Sequence, residues 1–324
     1  MTNQSKENGS RVVSRRRFTA LSAGALTVGL AGCFGDGPNG VDADVAASMP
    51  AVWDFSRQVA GEHLEVTDLV PLGEHGHDYD PDPGIVQEIE SADAFVYLRD
   101  FASWQDDAAD SLEDDGDTVV IEATEGIEFF DSPAEDDDEH FWMDPIECKT
   151  GVDNIADGLA ELDPDNAEEY EANAESFKDE LDELDAEFQD ILERADEDPE
   201  DLHVVVGTHD SFQWWNRRYG FNIHSPIGTS PDDEASAEDR NEVEELIDEH
   251  DIEYVLYDVG EPARLAESLA EDTGAEILPL SPVETQIDGS PEVDSSVEMD
   301  PDWGYVDHFR EINFPTLEKA LGAE

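Results

Sequence analysis

A long amphipathic segment in the middle of the chain constrains the fold more than any other feature. Its apolar residues recur in alternating steps of four and three, which keeps them on one face of an α-helix. Asp163-Pro164 has the composition of a helix start, and the pattern ends near Asp198-Pro199. We therefore predict one helix within residues 163–198, roughly 30 residues and about 45 Å long. The apolar positions are Tyr170, Ala174, Phe177, Leu181, Leu184, Phe188 and Ile191.

Short strand-like segments alternate with helix-like segments on both sides of this helix. Such alternation is typical of parallel sheets covered by helices. A coiled-coil helix would show the same central pattern, but these flanks favour a helix that connects two lobes. The predicted fold class is α/β, with two β/α lobes (residues 46–162 and 199–324) joined by one long rigid helix. The predicted strands lie within residues 64–72, 94–98, 119–121, 202–206, 254–257 and 277–280.

The charge of the chain excludes one large class of partners. Lys and Arg number 16 against 86 Asp and Glu, which gives a net charge of −70. Nucleic acid is not an expected partner, because phosphate binding needs a cationic surface. Disorder and adaptation to high salt both produce such acidity. The 38% of hydrophobic residues favours a folded protein, and hence one from an extreme halophile.

The first 32 residues differ from the rest and predict export. Ser14-Arg15-Arg16-Arg17-Phe18 resembles a twin-arginine signal. The apolar run at residues 21–31 is too short to span a bilayer. It ends in Leu30-Ala31-Gly32-Cys33, which resembles a lipoprotein cleavage box. We predict a lipid anchor on Cys33, a flexible tether over residues 33–45, and a location on the extracellular face of the cell membrane.

The chain has only two cysteines, so a thiolate metal site is not expected. If Cys33 carries lipid, Cys148 is left alone and the mature chain has no intrachain disulfide. A buried Cys148 is favoured over a soft metal ligand. Any metal site must therefore use histidines and carboxylates.

Three of the nine histidines stand in unusual local settings. His77 lies in the turn after a predicted strand, His140 opens a short aromatic motif, and His209 follows the Val204–Val206 strand. Open α/β sheets bind ligands at the carboxyl ends of their strands. Imidazole nitrogen suits Zn²⁺, and three histidines leave one tetrahedral position free. From the residues alone, a zinc site is one possibility among several.

Residues 46–322 resemble the zinc- and manganese-binding proteins of ABC importers. Three motifs carry the resemblance, in the order in which that family has them: His77-Asp78-Tyr79-Asp80-Pro81-Asp82-Pro83, His140-Phe141-Trp142-Met143-Asp144-Pro145 and His209-Asp210-Ser211-Phe212. The family has two β/α lobes joined by a single rigid helix. The resemblance therefore supports the fold predicted from the periodicity.

The resemblance implies a site and a function. His77, His140 and His209 would hold one divalent ion in the cleft between the lobes. Zn²⁺ is favoured over Mn²⁺ because manganese-binding members supply a carboxylate at the position of His209. The partners would be the ion, the membrane through the lipid anchor, and the permease of an ABC importer. A monomeric binding protein is expected, and not an enzyme.

Two departures from the family leave the fourth ligand open. The position of the family's usual Asp after a C-terminal strand holds Ser281. A hydroxyl is a poor ligand for Zn²⁺, so the candidates are Asp258, Glu284, or a water held by Ser281. The loop at residues 131–139 is acidic where zinc-binding members often have a His-rich loop, and we expect an acidic surface loop. His75 competes with His77, but the motif register favours His77.

Two other functions are compatible with the sequence. A metal-dependent hydrolase also uses three histidines and a water, with Asp144 or Asp210 as a general base. A receptor for a siderophore, haem or cobalamin would share the lobe–helix–lobe layout. The export signal and the connecting helix favour a metal receptor over both.

Overall fold

The computed structural model describes residues 44–77, 79–82, 84–115, 118–133, 135–195, 197–230, 235–291, 293 and 297–323. The predicted export signal and Cys33 lie outside these ranges. Within them, we find no helix with both the length and the apolar composition needed to cross a lipid bilayer.

The N-terminal lobe is a parallel four-stranded sheet with the strand order β2-β1-β3-β4. Its first strand begins at Val45, which is fully buried although it is the last residue of the predicted tether. The strands are β1 (Val45–Ala47), β2 (Val66–Asp68), β3 (Ala94–Tyr97) and β4 (Val119–Glu122). The helices are α1 (Pro50–Ala60), α2 (Ile85–Ile89), α3 (Ser103–Asp115) and α4 (Cys148–Leu162).

The long central helix, α5, spans Ala167–Arg194. All seven apolar positions predicted to share one face are buried, and this face packs against α1 and α4. Glu168 and Glu169 lie in the first turn and Arg194 in the last, where their charges complement the helix dipole. Burial of each large apolar side chain contributes about 1.5–3 kcal/mol, so packing stabilises this acidic helix.

The C-terminal lobe repeats the architecture with the strand order β6-β5-β7-β8, again parallel throughout. The predicted fold class is therefore confirmed. The strands are β5 (His203–Val206), β6 (Asn222–His224), β7 (Tyr254–Asp258) and β8 (Glu276–Leu280). The helices are α6 (Gln213–Tyr219), α7 (Ala237–Glu249) and α8 (Arg264–Thr273).

The C-terminal helix is continuous, although Pro315 predicts a break or a bend in it. It consists of α9 (Tyr305–His308), a π-helical turn (Phe309–Asn313) and α10 (Phe314–Ala320), and α10 packs on α5. A proline inside an α-helix clashes with the carbonyl four residues before it. The wider π-turn ends directly before Phe314-Pro315 and places the proline in the first turn of α10.

Tryptophans hold the two lobes together around the segment that contains His140. The indole N–H of Trp142 in the N-terminal lobe donates to the carbonyl of Pro282 at 2.8 Å. The indole N–H of Trp214 in the C-terminal lobe donates to the carbonyl of Asp138 at 3.1 Å. Both tryptophans are fully buried, so these bonds lie in the core of the cleft.

Candidate metal centre

The cleft is lined by residues that follow the carboxyl ends of strands in both lobes. His77 lies in the loop after β2, His209 follows β5, and Glu284 follows β8. His140 lies in the connection from β4 to α4. In the C-terminal sheet the strand order reverses between β5 and β7, and such switch points are the usual ligand sites of open α/β sheets.

The structure brings the three predicted histidines together. Their ring centroids are 5.7 Å apart for His77 and His140, 5.9 Å for His140 and His209, and 6.1 Å for His77 and His209. These side chains come from three separate loops and from both lobes. One divalent ion between them would bridge the cleft.

Glu284 supplies a fourth donor to the same space. Its Oε1 lies 3.7 Å from His140 Nε2 and 3.6 Å from His209 Nε2, and the side chain is fully buried. Within the described residues, neither Glu284 oxygen nor His140 Nε2 has a hydrogen-bond partner. Leaving such groups buried and unpaired is costly. A divalent cation bound between them would satisfy them.

Carboxylates behind the ring nitrogens set the direction of two imidazoles. His140 Nδ1 donates to Asp138 Oδ1 at 3.1 Å, and His209 Nδ1 donates to Glu261. A carboxylate on Nδ1 fixes the tautomer that leaves Nε2 free to bind a metal. In both residues Nε2 is the atom that faces Glu284.

These charges shift the pKa values of the metal-free site. Burial alone would lower the pKa of His140, but the hydrogen bond and charge of Asp138 raise it from 6.5 to about 9. Burial likewise opposes the charge on His209, yet Glu261 and Glu284 raise its pKa well above the ordinary value. For Glu284, burial would raise the pKa, and the surrounding histidines hold it well below its usual range. Without metal, the charged forms of His140, His209 and Glu284 thus stabilise one another.

Two donor nitrogens already have protein partners that an ion would replace. His77 Nε2 lies 3.1 Å from Glu139 Oε1, and His209 Nε2 contacts the hydroxyl of Ser211. His77 and Glu139 are the partly exposed members of the site. A groove of about 640 Å³ opens beside them. Its acidic lining residues are Asp100, Glu135, Asp136, Asp137 and Glu139.

Of the other sequence candidates, Asp258 belongs to a second donor group with His75, His209 and Glu261. Ser281 Oγ bonds with His308 Nδ1 at 2.8 Å and links β8 to the C-terminal helix. Asp258 Oδ2 lies 3.0 Å from His75 Nε2, next to the cleft. Cys148 is a buried free thiol in α4. Of the three candidates for a fourth ligand, Glu284 is the one whose carboxylate faces His140 and His209.

Sequence reasoning missed the carboxylates behind the ligands. Asp138 belongs to the segment expected to be an acidic surface loop, yet it is fully buried. Its position two residues before His140 was the available sign of a hydrogen bond to that ring. Glu261 lies 52 positions from His209 in sequence, so no local pattern could connect them.

A sequence model of the ZnuA family, described as zinc-uptake complex component A, periplasmic, matches residues 45–312. This match covers most of the 324-residue chain. The chain belongs to this family. The resemblance to metal-binding proteins of ABC importers is thereby confirmed, with zinc as the family's metal.

Individual members of the ZnuA family agree with this assignment. The high-affinity zinc uptake system protein ZnuA of Bacillus subtilis is 24% identical over 86% of this chain and 87% of its own length. The zinc-binding lipoprotein AdcA of Streptococcus pneumoniae is 26% identical over 83% of this chain. The match spans only 56% of AdcA, so the chain covers about half of that longer relative. The crystal structure of Streptococcus pneumoniae AdcAII has a TM-score of 0.72 at 25% identity, covering 88% of this chain and 100% of that one.

Proposed function

We propose that this ZnuA-family protein is the extracytoplasmic receptor of an ABC importer, and that it captures Zn²⁺ through His77, His140, His209 and Glu284. The ion is its cargo, and the permease of the importer receives it. The observation that carries the proposal is the meeting of His140, His209 and the buried Glu284 in the cleft, with His77 in an adjoining donor group that shares His140. His140 Nε2 and both Glu284 oxygens are buried and have no hydrogen-bond partner among the described residues.

The donor set favours Zn²⁺ over Mn²⁺. Three imidazole nitrogens and one carboxylate oxygen match the four-coordinate sites that zinc adopts in proteins. Manganese prefers more oxygen donors and a higher coordination number. Among the four proposed ligands only Glu284 supplies oxygen. Mn²⁺ should therefore bind more weakly than Zn²⁺.

Two alternative functions have less support. Asp144 accepts the backbone N–H of Ile146 at 2.9 Å and Asp210 accepts from Gln213 at 2.7 Å. Among the described residues, neither carboxylate belongs to a donor group that could hold a metal. For a chelate receptor, the groove beside His77 has acidic walls, which would repel anionic iron chelates. Capture of the bare ion fits both observations, and we propose no enzymatic activity.

We further propose that the protein is exported by the twin-arginine route and anchored through lipid on Cys33, as a monomer. The lipoprotein relative AdcA supports anchoring. The Cys33→Ser substitution should move the protein from the membrane fraction to the medium. The net charge of −70 supports adaptation to high salt, so the fold should loosen when salt falls from molar to roughly 0.1 M.

Elemental analysis of the protein purified without added metal tests the proposed cargo. We expect zinc at about one ion per chain in the parent protein, and its loss in Glu284→Gln, which keeps the shape of the side chain but removes its charge. A preparation that carries manganese or iron instead of zinc, or that holds no metal after zinc is supplied, would contradict the proposal.

A further inference from the structure

The two oxygens of Glu284 face different partners. Oε1 lies between His140 and His209, at 3.7 Å and 3.6 Å from their Nε2 atoms. Oε2 faces His75, whose Nδ1 is 3.5 Å away. His75 is not one of the proposed ligands, yet it is buried and directly adjoins the carboxylate that completes the site.

His75 is held in place from its other side by Asp258. The ring Nε2 lies 3.0 Å from Asp258 Oδ2, and Asp258 is itself fixed at the end of β7. Its Oδ1 accepts the backbone N–H of Gly260 at 2.8 Å, and its own N–H donates to Thr208 Oγ1 at 3.0 Å. The imidazole therefore cannot turn away from Glu284 without losing a buried charge-assisted hydrogen bond.

Glycine packing closes the space around the His75 ring. A Cβ on Gly260 would lie 3.1 Å from His75 Cδ2 and 2.3 Å from Thr285 Oγ1. The neighbouring Gly76 donates its backbone N–H to the carbonyl of Glu284 at 2.9 Å. The loop that carries His75 is thus fixed in register against the loop that carries Glu284, and the facing of the two side chains is built into the fold.

A carboxylate can bind a metal through one oxygen or through both. Binding through both requires the two oxygens to approach the ion together, as in sites of higher coordination number. For Glu284 this would mean turning Oε2 away from its 3.5 Å ion-pair contact with His75 Nδ1, a nitrogen that also accepts the backbone N–H of His77 at 3.3 Å. Binding through Oε1 alone keeps the contact and gives a total of four donors.

We propose that His75, positioned by Asp258, restricts Glu284 to one metal-binding oxygen and so makes the site select four-coordinate Zn²⁺ over Mn²⁺. This inference rests on the proposed function, because it concerns the same cleft. In it, His75 is a positioning residue and does not touch the ion. Groups behind the ligands commonly change metal affinity by about 10–100-fold.

The test compares Zn²⁺ and Mn²⁺ affinities of the full chain with those of His75→Ala and Asp258→Asn. In His75→Ala, Oε2 is free, and the Mn²⁺-to-Zn²⁺ ratio of dissociation constants should fall at least about tenfold. Asp258→Asn keeps the shape of the side chain and should change the ratio in the same direction. The control His203→Ala removes an imidazole far from the cleft and should leave the ratio unchanged.

Cobalt reports the coordination number independently of affinity, since four-coordinate Co²⁺ absorbs visible light far more strongly than six-coordinate Co²⁺. The parent protein should give the intense spectrum, and His75→Ala a weaker one. His75→Asn keeps a polar side chain beside Glu284 and should restore part of the intensity. This rescue separates positioning from a general loss of folding, which circular dichroism monitors.

Two results would overturn the inference. One is a folded His75→Ala protein with the parental affinity ratio and cobalt spectrum. The other is an equal loss of Zn²⁺ and Mn²⁺ affinity, which would make His75 a general support of the cleft. Failure of the proposed function looks different, because the parent protein itself would then bind no zinc.

Discussion

Two clusters of three histidines lie at opposite ends of strand β5. His209 follows the carboxyl end of the strand and meets His77 and His140 in the cleft. His203 opens the strand and stacks on His250 at 3.6 Å and on His224 at 5.2 Å between ring centroids. The second cluster adjoins a cavity of about 1040 Å³, larger than the groove beside His77.

The two clusters differ in what lies behind the rings. In the cleft, buried carboxylates raise the pKa values of His140 and His209. At the other end, His203 Nδ1 faces His224 Nε2 at 2.9 Å. Burial and the neighbouring imidazoles lower the pKa of His224 to about 4.

This difference shows what distinguishes a metal site from a group of histidines. Within the part of the chain that the structure describes, three donor groups have all their ligand atoms within 4.8 Å, and each includes a cleft histidine. The stacked cluster belongs to none of them. Whether a histidine cluster can bind a metal depends on nitrogens that point inward and on carboxylates behind the rings. It does not depend on the number of histidines or on the size of the adjoining cavity.

Removing a proposed ligand should have the largest effect on zinc affinity. His140→Ala and Glu284→Gln should each weaken zinc binding at least about a hundredfold, since losing a ligand costs more than losing a group behind one. His203→Ala should bind zinc like the parent protein. Competition against a chromophoric zinc chelator measures all three. Parental affinity in Glu284→Gln would mean that another group completes the site.

The pH dependence of zinc affinity should show that the cleft histidines titrate differently from an ordinary histidine. His140 must lose its proton to bind zinc, and its pKa in the metal-free protein is about 9. Zinc affinity should therefore fall about tenfold per pH unit below 9 for each proton displaced. Calorimetry in buffers of different ionisation enthalpy counts the protons released. Affinity that is constant from pH 9 to 7 and falls only near 6.5 would contradict the effect of the carboxylates.

Changing the carboxylates behind the rings should have a smaller effect. Asp138→Asn and Glu261→Gln keep a hydrogen-bond acceptor but remove the charge, and each should weaken zinc binding roughly tenfold. Glu249→Gln, close to the stacked cluster, is the matched control and should have no effect. The same titrations measure this. If all three variants bind zinc with the affinity of the parent protein, Asp138 and Glu261 do not contribute to zinc binding.

The sequence predicted the features that depend on local periodicity. The buried face of α5 could be read from its spacing, because burial on one face leaves a regular pattern. Strands β3, β4 and β7 could be read as short apolar runs, and β3 is buried along its whole length. Helix α4 was not predicted from the sequence. In α4, two glycines weaken the helical pattern, and Gly158 is required because a Cβ there would lie 2.5 Å from Ile121.

The site was predictable only where its residues stand in motifs. The three histidines belong to recognisable segments, whereas Glu284, Asp258 and Ser281 could not be ranked from the sequence. Their difference is three-dimensional: Glu284 reaches the cleft, while Ser281, three residues earlier, faces His308.

The most direct test is anomalous diffraction at the zinc absorption edge from crystals of the zinc-loaded protein. We predict one strong peak in the cleft, about 2.0–2.2 Å from a nitrogen of His77, His140 and His209 and from one oxygen of Glu284. A peak at the stacked cluster of His203, with none in the cleft, would contradict the central claim.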